Sequence, residues 1–356
     1  MNIYNFFIQQ DALFIEFITL LMLSTIFFIT SIKIISSNKK IYPTSNNIQN
    51  IHKDYTSRLG GLIILISSIF LSSYLYFIKN ENSYLFNIIF FSIPFVLIIL
   101  IEDFYQNISP FIRFILLTIS AFLFCLYGIN QLPIIEIPLL GDLINIPIIS
   151  IIFYTLCITA YINGVNFIDG TNGLASLTIF TSLLCLLFLT ITLGDFVNSK
   201  IIIYMIAILI AFIFMNYPFG KIFLGDLGAY FIGWITAIMT IKIMIDNPEI
   251  PNWSAVTILS YPIIEVIFSF FRKIQSGKNP FYPDREHLHL KLFFTLEAKI
   301  KNNLYANSLV APFLSLIWLM PLVIIPWIYS SKFLVLISVV LQVFIYYFFY
   351  RLIPKK

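Results

Sequence analysis

Charge is what this 356-residue chain has least of: 11% of its residues are Asp, Glu, Lys or Arg, while 60% are hydrophobic. About a quarter of an ordinary soluble domain is charged, so the shortage excludes one. Cysteine is scarce too. Cys125, Cys157 and Cys185 all fall inside apolar runs, which leaves neither a disulfide framework nor thiolate ligands for a metal. The three histidines, His52, His287 and His289, are too few for a zinc site without cysteine. The opening MNIYNFFIQQDALFIEF lacks a basic stretch and a small-residue cleavage site, so a retained first span is expected rather than a signal peptide. There is no internal repeat and no long soluble insertion. The net charge of +4 is small, and no nucleic-acid partner is expected.

What the chain does have is a series of apolar runs of membrane-spanning length. They predict an all-α polytopic membrane protein, a single domain over residues 1–356 with about eleven transmembrane helices. The expected spans are 12–35, 60–78, 85–101, 111–127, 146–162, 174–193, 201–215, 228–245, 255–271, 306–328 and 333–350. With the N-terminus outside, 17 of the 21 Lys and Arg residues fall on inner loops and span ends. Only Lys79, Lys200, Lys242 and Lys332 fall outside. The positive-inside rule then places the C-terminus and nearly all the unusual polar residues in the cytoplasm. The outer segment 128–146 alternates in part and is broken by proline, which suggests a small hairpin lying on the membrane. A transporter would carry its polar residues at mid-membrane, inside broken helices. Here they gather at one face, as suits cytoplasmic catalytic loops.

The densest of those loops is Asn163-Gly-Val-Asn-Phe-Ile-Asp-Gly-Thr-Asn-Gly-Leu174. Asn163, Asn166 and Asp169 are spaced by three and form one row on a helix end. Gly170 and Gly173 then break the helix and permit close backbone approach. Amides plus a carboxylate suit a polar, multidentate ligand, although a hydrophilic turn is the plainer account. Arg58, before Gly60 and Gly61, could meet a phosphate or simply anchor the inner side. Glu102 and Asp103 are adjacent carboxylates at a membrane boundary, and a cation or a shared proton would relieve their repulsion. Asp226, between Gly225 and Gly228, could be an N-cap or a hard-oxygen ligand for Mg²⁺. Asn216 and Lys221 share its loop. Glu265 and Arg272 lie on one helix face, and Arg285, His287 and His289 form a basic group suited to a pyrophosphate or to lipid headgroups.

Together these loops resemble the polyprenyl-phosphate N-acetylhexosamine-1-phosphate transferases, whose superfamily includes phospho-N-acetylmuramoyl-pentapeptide transferase. The likeness runs from Thr56 to about Leu292. Asn163–Leu174 is similar to the family's N-x-x-N-x-x-D-G-x-D-G-L, and Phe223–Gly228 to F-x-G-D-x-G. Arg58–Gly61 is similar to R-x-G-G, and Pro262–His289 to P-x-x-D … D-R-x-H-x-H. Glu102-Asp103 occupies the paired-Asp position. There are departures: Glu102, Asn172 and Glu265 each replace an Asp, and Leu290 stands where many relatives have a third His.

The resemblance implies transfer of a sugar-1-phosphate from a UDP-sugar to undecaprenyl phosphate at the cytoplasmic face of a bacterial inner membrane, with release of UMP. It implies Mg²⁺ as cofactor, with Mn²⁺ as substitute, held by Asp226 and Asp103. Asp103 would orient or deprotonate the lipid phosphate, supported by Glu102. Asn163, Asn166, Asp169 and Asn216 would take the nucleotide, and Arg58, Arg285, His287 and His289 the phosphates or the sugar phosphate. A homodimer within the lipid bilayer is the assembly it suggests. The rival readings are the pentapeptide transferase, against which the Pro283–His289 segment speaks, and a polytopic transporter or inactive scaffold.

Overall fold

The computed structural model describes residues 3–37, 56–81, 84–105, 108–136, 141–280, 282 and 284–354, excepting the side chains of 3–12, 35–37 and 103–105. Among them there are sixteen α-helices and no strand. Without water to satisfy peptide groups, an apolar run in hydrocarbon must pair its own backbone, and a helix does so within one segment. In chain order the helices are α1 (Ile3–Ser37), α2 (Gly60–Phe77), α3 (Tyr84–Tyr105), α4 (Pro110–Leu123), α5 (Gly141–Ile144), α6 (Pro147–Ile168), α7 (Leu174–Thr192) and α8 (Phe196–Asn216). There follow α9 (Gly225–Asp246), α10 (Trp253–Ile258), α11 (Ser260–Gln275), α12 (Leu288–Ile300), α13 (Asn303–Phe313), α14 (Ser315–Trp318), α15 (Met320–Ile328) and α16 (Lys332–Leu352). Ten stretches among the described residues are long and apolar enough to cross a membrane. The chain is an all-α, multi-pass membrane protein.

That is one unbroken span fewer than the eleven expected, because the ninth is present as two consecutive helices, α10 and α11, and proline is the reason. The ninth, predicted over 255–271, contains Pro262, which has no N–H to offer the carbonyl of Ile258 four residues back. The Ser182 hydroxyl on α7 donates to that carbonyl instead, at 3.0 Å. The run divides at Leu259 into α10 and α11. The hairpin expected over 128–146 is also corrected, because no described residue there is in a strand. Asn145 clasps the segment with its side-chain amide, accepting from Ile135 N–H at 2.8 Å and donating to Ile135 carbonyl at 2.9 Å.

Helix α9 is the axis of the bundle. Of its apolar window 89% is buried, against 67% or less for the other spans, so it faces protein rather than lipid. Its Trp234 indole donates to the Ile88 carbonyl of α3 at 2.8 Å and packs edge-on to Phe95 and Phe124. Two glycines set how close its neighbours come. A Cβ on Gly61 would lie 2.1 Å from Gly228 N, so the starts of α2 and α9 touch backbone to backbone. A Cβ on Gly164 would lie 2.3 Å from the Pro262 carbonyl, so α6 and α11 touch in the same way.

Candidate active site

Five helix ends converge on Asp226: the starts of α2, α4 and α9 and the ends of α3 and α6. The segment before α2 pairs with the segment before α9 through Phe223 N–H to Ser57 O (2.8 Å), Gly60 N–H to Phe223 O (3.0 Å) and Gly61 N–H to Leu224 O (2.8 Å). That pairing brings Arg58 over the carboxylate, where its Nη2 donates to Asp226 Oδ1 at 3.3 Å. Arg113 Nη1, from α4, donates to Asp226 Oδ2. Asn166 Nδ2, from the last turn of α6, donates to Oδ1 at 3.4 Å. The Asp226 side chain does not cap its own helix, whose N-cap is Leu224. The plain N-cap account of this residue therefore fails.

Arg113 also joins the acidic pair expected at the end of α3. Its Nη1 lies 3.9 Å from Glu102 Oε1, while Glu102 Oε2 accepts the Ile108 N–H at 2.6 Å. Two carboxylates thus share one cationic nitrogen. Asp103 follows in the same helix, and its side chain lies outside the described residues. Among the described residues no three His, Cys, Asp or Glu side chains gather as a metal cluster. Magnesium does not need three: it commonly takes one or two carboxylates, with water and substrate phosphates completing its shell. The hard oxygens of Glu102 and Asp226, already converging on one cation, fit that pattern.

The loop after α11 forms a second cluster, organised differently from the expectation. Arg272 clamps Asp284 through both of its terminal nitrogens, at 2.7 and 3.1 Å. His287 Nδ1 lies 3.0 Å from Glu265 Oε1 and its Nε2 3.7 Å from Asp284 Oδ1. Tyr346 on α16 donates to Glu265 Oε2 at 2.9 Å. Buried Lys273 donates to the carbonyls of Pro280 (3.1 Å) and Tyr282 (2.8 Å). The Arg272 guanidinium, working against burial, holds the Asp284 carboxyl below its usual range. His289 is 1% exposed and stacks on His287. Burial first, and its neighbour His287 second, push its ring down to about 3. The three expected basic residues are placed differently from one another. Both nitrogens of His287 face carboxylates, His289 is a buried ring against Gly170, and only Arg285 is exposed, its guanidinium over the Phe294 ring.

The remaining expected residues divide in the same way. Asn166 reaches Asp226, whereas Asn163 donates to its own helix at Thr159 O, 2.8 Å away. Asp169 closes α6 as its C-cap, on the half-buried rim. Asn216 is 6% exposed with both ends of its amide occupied: Gly173 N–H donates to it at 2.7 Å and it donates to Ile222 O at 2.8 Å. It ties two loops together.

Arg113, counted in the sequence only as an inner positive charge, is central here. A signal for it did exist. Ser109 caps α4 and Pro110 opens it, which places Arg113 in the first turn, where the helix dipole disfavours a cation. An arginine there needs carboxylates nearby.

Residues 85–244, less than half of the chain, match the model of glycosyl transferase family 4. The chain is similar to an undecaprenyl-phosphate alpha-N-acetylglucosaminyl 1-phosphate transferase of Thermotoga maritima. The two are 26% identical over 264 residues, 74% of this chain and 77% of that protein. It is equally similar to a phospho-N-acetylmuramoyl-pentapeptide-transferase of Streptococcus thermophilus, at 26% over 68% of this chain and 76% of the other. A probable undecaprenyl-phosphate N-acetylglucosaminyl 1-phosphate transferase of Bacillus subtilis is 24% identical over 68% of this chain and 67% of its own length.

Proposed function

We propose that the chain is a member of glycosyl transferase family 4, whose model matches its residues 85–244, and that it moves a sugar-1-phosphate, N-acetylhexosamine-1-phosphate in our reading, from a UDP-sugar to undecaprenyl phosphate, releasing UMP. The observation that carries the reading is the polar hub at one end of the bundle: Asp226 held by Arg58, Arg113 and Asn166, with Glu102 on the same arginine. In this reading that end lies at the cytoplasmic face of a bacterial plasma membrane, where nucleotide sugars are available, and the lysine and arginine bias supports the cytoplasmic side.

Both substrates are phosphates, so the site must offset their mutual repulsion and align attacking and leaving oxygens. Arg58 and Arg113 supply two guanidiniums on one side of the hub. Asn166 and Asp169, on the last turn of α6, are placed for the polar groups of the nucleotide. Asp103, beside Glu102 at the end of α3, orients or deprotonates the lipid phosphate. Magnesium, when bound at Asp226 with Glu102 or Asp103, would neutralise phosphate charge and polarise the transferred phosphoryl group. Arg285, exposed in the α11–α12 loop as Lys278 is, would meet the sugar phosphate. His287 and His289 hold that loop in shape.

The test is UMP release by purified protein given undecaprenyl phosphate, Mg²⁺ and a panel of UDP-N-acetylhexosamines, with an EDTA control. The panel includes UDP-N-acetylmuramoyl-pentapeptide, because the equal similarity to pentapeptide transferases makes that donor the second reading. Mg²⁺-dependent UMP with one hexosamine is the expected result. UMP with the pentapeptide donor alone would replace the first reading by the second, and folded protein giving no UMP with any donor would sink both.

A further inference from the structure

We infer that Asn307 is a positioning residue for the UDP-sugar side of this reaction, acting through the two loops it locks together. The inference rests on the proposed transferase activity. Asn307 lies on α13, beyond the residues that match the family and outside every motif read from the sequence. Its side chain is fully buried, and its Oδ1 accepts the Asn172 N–H at 2.6 Å.

From that bond two routes lead toward the hub, each made of hydrogen bonds and completed along the chain. On the first, the Asn172 side chain donates to the Pro218 carbonyl at 2.9 Å, and the next residue on α13, Ser308, donates to the same carbonyl at 2.6 Å. Pro218 stands in the loop that leads into Asp226. On the second, Asn172 follows Asp169 by three residues and Asn166 by six, and Asn166 already touches Asp226. Asn216 closes the circuit between the loops through Gly173 N–H and Ile222 O.

Two features make this a positioning device rather than general packing. The backbone N–H groups of Asn172 and Gly173 lie immediately before α7, Gly173 being its N-cap. Both are taken by side-chain carbonyls from other elements, so the approach to this helix is pinned. Neither loop has secondary structure of its own, and a shift of about 1 Å in a catalytic group can cost about 100-fold in rate. The circuit also gives Asn172 a reason: its amide N–H₂ donates to a carbonyl, which an Asp carboxylate in that place could not do.

The test compares wild type with Asn307→Leu, Asn307→Asp and Ser308→Ala by UMP release, varying UDP-sugar and undecaprenyl phosphate separately, alongside thermal melting in detergent. Asn307→Leu keeps the volume and removes the acceptor. The expected result is a 10- to 100-fold fall in kcat/KM for the UDP-sugar, with KM for undecaprenyl phosphate within about twofold of wild type. Asn307→Asp keeps an acceptor oxygen and recovers most of the loss. Ser308→Ala leaves the Pro218 carbonyl with Asn172 and changes activity less than about threefold. If Asn307→Leu does not fold, Asn307→Ser, whose hydroxyl is too short to reach, takes its place. A lowered melting temperature with both substrates' constants unchanged would overturn the inference while the transferase reading stands. Wild type that releases no UMP would end that reading and this inference with it.

Discussion

At one end of the bundle four lysines each meet one carboxylate: Lys79 with Glu16, Lys200 with Glu81, Lys242 with Asp246 and Lys332 with Glu136, with Tyr204 and Asn198 adding neutral donors to Glu16 and Asp246. At the other end the charged groups themselves are shared. Asp226 takes two arginines and an asparagine, Arg113 reaches two carboxylates, and Glu265 takes a histidine and a tyrosine. The first arrangement balances charge on flexible side chains and contributes about 0–1 kcal/mol per exposed pair. The second holds each group from several helices at once, so that no single rotation releases it. Charge at the first end is compensated; at the second it is positioned, and positioning is what chemistry on phosphates requires.

Asp226→Asn should break that contrast most. UMP release should fall on the order of 10³-fold, while α9, buried along its length, keeps the fold and a cooperative melt in detergent. Turnover near the wild-type level would remove Asp226 from the site and from any Mg²⁺ set. Next in size is Arg113→Ala, for which kcat should fall on the order of 10²-fold. Arg113→Lys should recover only part of it, because an ammonium cannot span Asp226 and Glu102 as a planar guanidinium does. Equal activity for the two variants would reduce Arg113 to a counter-charge like those of the other end.

Much of this was legible in the sequence, and what was missed has a common form. Apolar run length gave the spans because the bilayer sets that length. It failed at 255–271, where a single proline divided the run, and the compensating Ser182 hydroxyl lies 80 residues earlier, beyond any local pattern. Residue type and spacing singled out Asp226, Glu102, Arg58 and Asn166, which the fold does bring together. Spacing could not show that Asn216 and His287 are consumed by protein partners, since their donors and acceptors come from distant segments. Arg113 and Asn307 were missed because each looks ordinary among its neighbours. One is a boundary arginine and the other an asparagine on a late helix. The departures at Glu102, Glu265 and Asn172 look less like losses in three dimensions, because each has a specific partner that its own chemistry suits.

A smaller effect should separate the two ends by pH. His289 titrates at about 3 in the folded protein and near 6.5 when unfolded. Between those values the unfolded chain binds the additional proton, so the stability from burying the neutral ring is fully present above pH 6.5 and falls as pH drops through it. The slope approaches 1.4 kcal/mol per pH unit. Melting temperature in detergent should therefore decline from pH 7 to pH 5 in wild type and decline less in His289→Gln. Identical curves would show that the ring is not held neutral.

The smallest effect belongs to the rim. Lys332 and Glu136 are 67% and 61% exposed, so their pairing is screened and costs side-chain entropy to hold. Lys332→Met should move stability by less than about 1 kcal/mol and leave UMP release within twofold of wild type. Orientation should not change either, because removing an outer lysine only strengthens a bias that already stands at 17 to 4. The pair nonetheless stands at the mouth of an apolar cavity of about 380 Å³ lined from α6, α9, α10, α11 and α16. Helices α6 and α9 run on from there to Asn166 and Asp226. A marked loss of turnover in Lys332→Met, with an unchanged melt, would mean that the two ends are coupled along those helices, and the division between balancing and positioning charge would have to be given up.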